Sequence, residues 1–178
     1  PVNPCLEFNC SNDMDGIKVI KQLSQEKINV NCTLIFSPEQ ALLAAKAGAA
    51  IVSPFVGRLD DYLREISHIQ FSKEDYFPEK GWRKGKKILN DNGIVSGVSL
   101  IKKISEMFTK QNIQSEILAA SIRNSRQMRE VSIAGADIVT LPFNIFHKLV
   151  NHIKTAEGMK QFTNDSIPEY TTLLGTKK

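Results

Sequence analysis

Polar residues set two apart in apolar surroundings are the parts of this sequence that can do chemistry. Asn31 and Thr33 stand so in VNCTLIF, residues 30–36. Side chains alternate along a strand, so the two share a face, an unusual choice for a sheet core. Ser53 and Phe55 repeat the spacing in AIVSPFV, with Arg58 three residues beyond, and Ser121 and Arg123 repeat it after SEILAA. Arg58 and Arg123 can hold a phosphate through forked donors. Ser121 and the amides opening a helix after Asn124 can complete that site. Arg126 lies one helical step further in and is the weaker candidate. Each has an ordinary alternative: an interior hydrogen-bonded pair for Asn31 and Thr33, a strand end at Ser53-Pro54, a surface ion pair for Arg58, a helix cap for Ser121. Three consecutive strand ends carrying polar residues at the same depth are not a packing pattern, and that favours a binding site.

Helices and short apolar strands must alternate to position these residues. Apolar residues at helical spacing run through Ile17–Leu23, and Val30–Phe36 is β-rich. Ser37 then caps a helix over Pro38–Ala47, with proline at its first position and Gly48 closing it. Ala50–Val56 is the next strand. A long polar stretch, 59–97, follows and begins with a helix through Arg64. Ser99–Lys110 is a helix, Ser115–Ser121 a strand, Ser125–Ala134 a helix closed by Gly135, and Asp137–Leu141 a strand. Helices over Asn144–Ile153 and from Thr155 complete the pattern. Such alternation predicts an α/β fold with a parallel sheet. Ala-Gly-Ala recurs at 47–49 and 134–136, each time where a helix stops and a strand begins. That repetition predicts one unit used several times, as in a (β/α)8 TIM barrel. A doubly wound sheet is the alternative, but no glycine-rich phosphate loop is present. Eight units need about 200 residues. Four firm strands, with a fifth before Asp13, predict an incomplete barrel covering the fourth or fifth to the eighth unit, within a single domain over 1–178.

The composition is that of an ordinary folded domain: 178 residues, 42% hydrophobic and 24% charged. No apolar run approaches the ~18 residues of a membrane span. The net charge of +4 suits a small phosphorylated substrate and is too mild and scattered for nucleic acid. Cys5, Cys10 and Cys32 show no paired spacing, which fits a reducing cytoplasm and thiols without a metal or disulfide role.

At this point the motifs resemble those of a family. NCTLIFSPEQA, residues 31–41, is similar to the fifth-strand motif of transaldolases, and SPFVGRLD, residues 53–60, to the sixth. AASIRN, residues 119–124, resembles the seventh and TLP, residues 140–142, the eighth. The small transaldolases, which shade into fructose-6-phosphate aldolases, are the nearest in pattern, and Phe55 leans toward transaldolase. The resemblance implies Schiff-base chemistry without metal or organic cofactor. A lysine on the fourth strand attacks a ketose phosphate, and a dihydroxyacetone unit passes to an aldose phosphate, as in the pentose phosphate pathway. It implies that Thr33 helps hold the catalytic water, that Asn31 and Ser53 bind hydroxyls of the three-carbon unit, and that Phe55 shapes the pocket. Arg58, Ser121 and Arg123 would bind the sugar phosphate. The partners implied are sugar phosphates of the fructose 6-phosphate, sedoheptulose 7-phosphate and erythrose 4-phosphate class, and a homo-oligomer is expected of the intact protein.

The lysine of the family's K-hydrophobic-Pro motif is missing, and three registers are open. Pro1-Val2 can follow a lysine two positions upstream of Pro1, with an insertion around Cys5–Asn12. Pro4 can be the motif proline, placing Val2 at the lysine position. Or Ser11 can replace it, placing Asn9 there. The first is preferred, and it makes this chain inactive by itself but part of an active parent. The other two predict a degenerate barrel that binds sugar phosphates without catalysis. A fructose-6-phosphate aldolase is a further alternative. Half a barrel would also leave an open sheet edge, so the piece is expected to be poorly soluble unless paired. Residues 67–93 read as an inserted loop after the sixth strand. Lys73, Lys80, Arg83, Lys84, Lys86 and Lys87 are interleaved there with Tyr76, Phe77 and Trp82. A solvated loop with aromatic anchors is the favoured reading, a lid or subunit contact the middle one, and a nucleic-acid patch the least favoured.

Overall fold

The structure, a computed structural model, describes residues 8–10 and 13–165. The chain divides into two units, 1–142 and 143–178. In the first, strands and helices alternate as β1 (Phe8–Cys10), α1 (Met14–Gln25), β2 (Val30–Ile35), α2 (Pro38–Ala47), β3 (Ile51–Pro54) and α3 (Val56–Glu65). A two-residue hairpin, β4 (Arg83–Lys84) and β5 (Lys87–Ile88), interrupts the pattern. It resumes with α4 (Gly97–Gln111), β6 (Glu116–Ala119), α5 (Ser125–Ala134) and β7 (Ile138–Val139).

Strands β1, β2, β3, β6 and β7 form one sheet in that order, every neighbour parallel. Parallel neighbours need a crossover, and a helix supplies each one. The order never reverses, whereas a doubly wound sheet reverses at its switch point. The helices accordingly lie side by side: α1 packs on α2, α2 on α4, and α4 on α5. Their apolar faces meet Val30, Cys32, Ile35, Val52, Ile117 and Ala119 in a common core with Ile20, Leu100, Ile101 and Ile104. The expected strand before Asp13 is present as β1.

Local chemistry explains the helix ends. Ser37 Oγ accepts from Gln40 N at 3.3 Å, while Gln40 Oε1 accepts from Phe36 N and Ser37 N at 2.8 and 3.1 Å. This capping box starts α2 at Pro38, as its sequence requires. The repeated Ala-Gly-Ala is repeated in three dimensions. Gly48 and Gly135 end α2 and α5 at φ +110 and +105, and each lies against a serine of the preceding packed helix, Ser24 and Ser105. A Cβ at either glycine would strike that serine's hydroxyl as well as strain the backbone.

Some boundaries differ from the pattern reading. Helix α3 begins at Val56, directly after the strand, so Arg58 sits in its first turn rather than on a loop. Strands β6 and β7 are shorter than expected, since their outer residues leave the ladder for loops. In the second unit, α6 (Phe143–Val150) stops earlier than the expected Ile153. Helix α7 (Ile153–Asn164) then starts under a different cap, His152, whose Nδ1 accepts from Lys154 N at 3.1 Å.

Candidate functional site

One buried polar pair joins neighbouring strands. Ser53 Oγ donates to Asn31 Oδ1 at 2.6 Å, with both residues buried. In parallel register Asn31 lies beside Ile51, so Ser53, two residues on, presents its hydroxyl to the same face. Thr33 is half-buried on β2, just ahead of a break in the ladder. The register shifts between Cys32 and Ile35, and Leu34 takes a left-handed φ of +58. A bulky residue at positive φ is a real outlier, and such strain gathers at binding sites. Nothing around Leu34 in VNCTLIF signals the bulge, because Thr33, Leu34, Ile35 and Phe36 read as a plain strand.

Higher up, the C-terminal end of β6 closes over the start of α3. Val56 N donates to Ala120 O at 3.0 Å and Gly57 N to Ser121 O at 3.2 Å. These bonds satisfy two opening amides of a helix whose cap residue, Phe55, offers no side-chain acceptor. Gly57 has no room for a Cβ, since one would lie 2.6 Å from Arg123 Nε and collide with the Ser121 carbonyl. Phe55, Arg58, Ser121 and Arg123 are thus assembled on two adjoining segments. Arg58 is exposed, its guanidinium 4.8 Å from the centre of the Phe55 ring. The Phe36 ring meets Phe55 at a tilt, 5.9 Å between centroids. Ser121 has a left-handed φ of +63.

The equal depth expected of the three polar pairs is not what the ladder gives. Phe55 bridges Ala120, and Val52 pairs with Ile117, so Ser53 is level with Leu118. Ser121 therefore lies three residues further out than Ser53. The geometry is a deep hydroxyl-bearing pair below an arginine-bearing rim.

Beneath that rim runs a buried polar network that the sequence reading missed. Arg123 Nη2 donates to Asp61 Oδ2 at 2.8 Å, and Arg64 Nη1 lies 3.5 Å from Asp61 Oδ1. The Arg123 main-chain N–H donates to Gln127 Oε1 at 2.8 Å. Gln127 Nε2 in turn donates to Asp60 Oδ2, and Gly97 N to Asp60 Oδ1, each at 2.7 Å. Burial pushes the Asp60 carboxyl up to about 7; the Gly97 amide and the Arg64 charge oppose this, Asp61 adds to it, and Gln127 opposes it. The available signal was charge at i, i+1 and i+4 of a short helix, Asp60, Asp61 and Arg64, which sequence alone reads as a solvated face. Arg126 is turned elsewhere: it pairs with Glu130 at 3.0 Å and covers the Tyr76 ring at 3.8 Å.

The strand that leads into α1 is β1, where Asn9 pairs in register with Asn31. The third register rests on this residue. Pro1, Val2 and Pro4, on which the other registers rest, lie outside the described residues, as do Cys5 and Ser11. Among the described residues, no strand of the parallel sheet carries a lysine. A cavity of about 430 Å³, lined in part by Ser115, Glu116 and Asp137, sits at the opposite, N-terminal ends of β6 and β7. No described helix is long and apolar enough to cross a membrane.

Residues 12–174 match the family described as Transaldolase/Fructose-6-phosphate aldolase. A probable transaldolase of Thermoplasma acidophilum is 43% identical over 151 residues, covering 85% of this chain and 54% of that protein. One from Thermoplasma volcanium is 40% identical with the same coverage. One from Chlorobium phaeobacteroides is 38% identical over 157 residues, 88% of this chain and 56% of that protein. The chain spans about half the length of these relatives.

Proposed function

The chain belongs to the transaldolase/fructose-6-phosphate aldolase family, and from that premise we propose that it supplies the hydroxyl- and phosphate-binding side of a transaldolase-type site. The whole protein would transfer a dihydroxyacetone unit between ketose and aldose phosphates. The observation that carries this reading is the buried Ser53–Asn31 bond at 2.6 Å, a polar pair placed where a sheet core has no need of one. On this proposal Asn31 and Ser53 bind hydroxyls of the three-carbon unit, and Thr33 holds the water that moves protons. Phe55 walls the pocket, and Arg58, Ser121 and Arg123 take the phosphate. An iminium formed on a lysine withdraws electrons from the neighbouring carbons, so carbon–carbon cleavage proceeds at neutral pH. The lysine must be neutral to attack, which burial favours. It is proposed to come from a segment ahead of Pro1, in a barrel that this five-stranded sheet helps to close and in a homo-oligomeric cytoplasmic protein.

A second reading, a sugar-phosphate-binding member without catalysis, is favoured by one observation: Asn9, not lysine, is level with Asn31. The assay that separates these readings uses the full-length protein with fructose 6-phosphate, with and without erythrose 4-phosphate. Product only with the acceptor supports transaldolase. Glyceraldehyde 3-phosphate without an acceptor indicates an aldolase. No product in either case, with phosphate-ester binding retained, supports the non-catalytic reading.

A further inference from the structure

We propose that the segment between α3 and α4 is a strut that fixes the direction of the Arg123 guanidinium, acting through Arg64 and Asp61. The inference rests on the phosphate-binding role proposed for Arg123, and it makes Asp61 and Arg64 positioning residues of that site.

The line of contact is continuous. The Arg64 side chain is only 3% exposed. Its Nη2 donates to the Asp75 carbonyl at 2.8 Å, and its Cζ lies 4.9 Å from the ring centres of both Phe71 and Phe77. All three partners belong to the inserted segment. Phe77 is itself buried and packs on Trp82 at 6.4 Å. The insertion therefore clamps Arg64 by ring faces and by one carbonyl. Arg64 then faces Asp61 Oδ1, a buried oxygen that accepts no hydrogen bond. With one carboxylate oxygen held only by that ion pair, the plane of the Asp61 carboxylate depends on where Arg64 is held. The other oxygen takes the Arg123 fork at 2.8 Å.

The same segment also grips the far side. Tyr76 Oη donates to Glu130 Oε1 at 2.8 Å, beneath the Arg126 guanidinium. Both partners lie on α5, the helix that opens two residues after Arg123. The main chain and side chain of Arg123 are thus governed by neighbours on one turn of α3, Asp60 through Gln127 and Asp61 directly. Asp61 is shared by two guanidinium groups, Arg64 and Arg123, and so saturates neither. Only an Nη2 donor of Arg123 is spent on Asp61, and a planar guanidinium carries five. Held this way, the fork meets a phosphate without first losing its side-chain freedom. A lid would need few anchors; this segment has them on both α3 and α5.

The test uses the full-length protein, glucitol 6-phosphate as an unreactive sugar-phosphate probe, glucitol as its control, and the NMR signal of the Arg123 Nε–H. In the unaltered protein that signal is expected to be sharp and slow to exchange, because Nε is buried against Gly57. Arg64→Lys keeps the charge but not the fork that spans Asp61 and Asp75, and Phe71→Ala removes one ring of the clamp. Both are expected to broaden the Arg123 signal and to weaken probe binding several-fold. Asp61→Asn is expected to weaken it about tenfold, roughly the worth of one charge-assisted hydrogen bond. If Asp61→Asn does not fold, by its backbone amide spectrum, the two milder variants carry the test. An unchanged Arg123 signal and unchanged affinity in Arg64→Lys and Phe71→Ala overturn the strut. Tighter binding in Asp61→Asn overturns it too, for Asp61 would then compete with the phosphate. Failure of the unaltered protein to bind the probe, or equal binding by Arg123→Ala, removes the phosphate role of Arg123, while the Arg123 signal still reports on the strut.

Discussion

Asp60 shows how one buried side chain ties stability to pH. Its carboxyl titrates near 7 in the folded chain against an ordinary 3.8, mainly because burial disfavours the charge. The folded state therefore keeps this proton to higher pH than the unfolded state does. Through this group stability falls as pH rises from about 4 to 7 and is level on either side. Asp60→Asn is expected to remove that slope, measured as urea midpoints across pH 4–8; an unaltered slope counts against the assignment. Ser53→Ala takes away the donor to Asn31 Oδ1. An expected loss of about 1–3 kcal/mol should appear in urea unfolding, together with weaker binding of polyol phosphates; a neutral result on both counts makes the pair a bystander. Asn31, Ser53, Arg58, Ser121 and Arg123 could be picked out in the sequence because polar or forked side chains are conspicuous at strand ends. Asp60, Asp61, Arg64 and Gln127 could not. Their importance comes from burial, and an acid–base pattern on a short helix looks the same whether it faces water or a neighbour.

At the level of elements, what depends on nearby residues was readable and what depends on distant ones was not. Ser37, Pro38 and Gly48 define α2 from within the chain, and its bounds match the reading. Asn124 and Gly135 do the same for α5. The bulge at Leu34, the early start of α3 and the docking of the insertion are set by neighbouring strands and helices, so no local pattern encodes them. The favoured reading of residues 67–93 kept the aromatic anchors but not what they hold: Phe77 is buried and Tyr76 reaches Glu130. Gly57 offers a sharp test at this scale. Gly57→Ala puts a methyl group against the Ser121 carbonyl and Arg123 Nε. It is expected to destabilise the chain by about 1–3 kcal/mol and to impair phosphate-ester binding. Calorimetry and titration together check this, and a silent substitution would mean that α3 and the β6–α5 loop do not pack as described.

For the whole molecule, the sequential parallel sheet has consequences beyond the site. Among the described strands, β1 and β7 are its edges. Open edges of a parallel sheet pair readily with other chains. The chain by itself is expected to associate with rising concentration, observed by light scattering after size exclusion; a monomer at every concentration would contradict that. Sequence order and strand alternation made the α/β class legible, and four ordered motifs made the family legible. The lysine register was not, since the motif proline can be Pro1 or Pro4, or Ser11 can stand in its place, and no pattern in the sequence separates the three. That register bears on the central claim, which borohydride reduction of the full-length protein in the presence of fructose 6-phosphate tests most directly. The account predicts a stable adduct, located by peptide mass spectrometry on a lysine ahead of Pro1, and none on this chain alone. A full-length protein that binds the sugar phosphate yet yields no adduct would contradict it and leave a binding protein in its place.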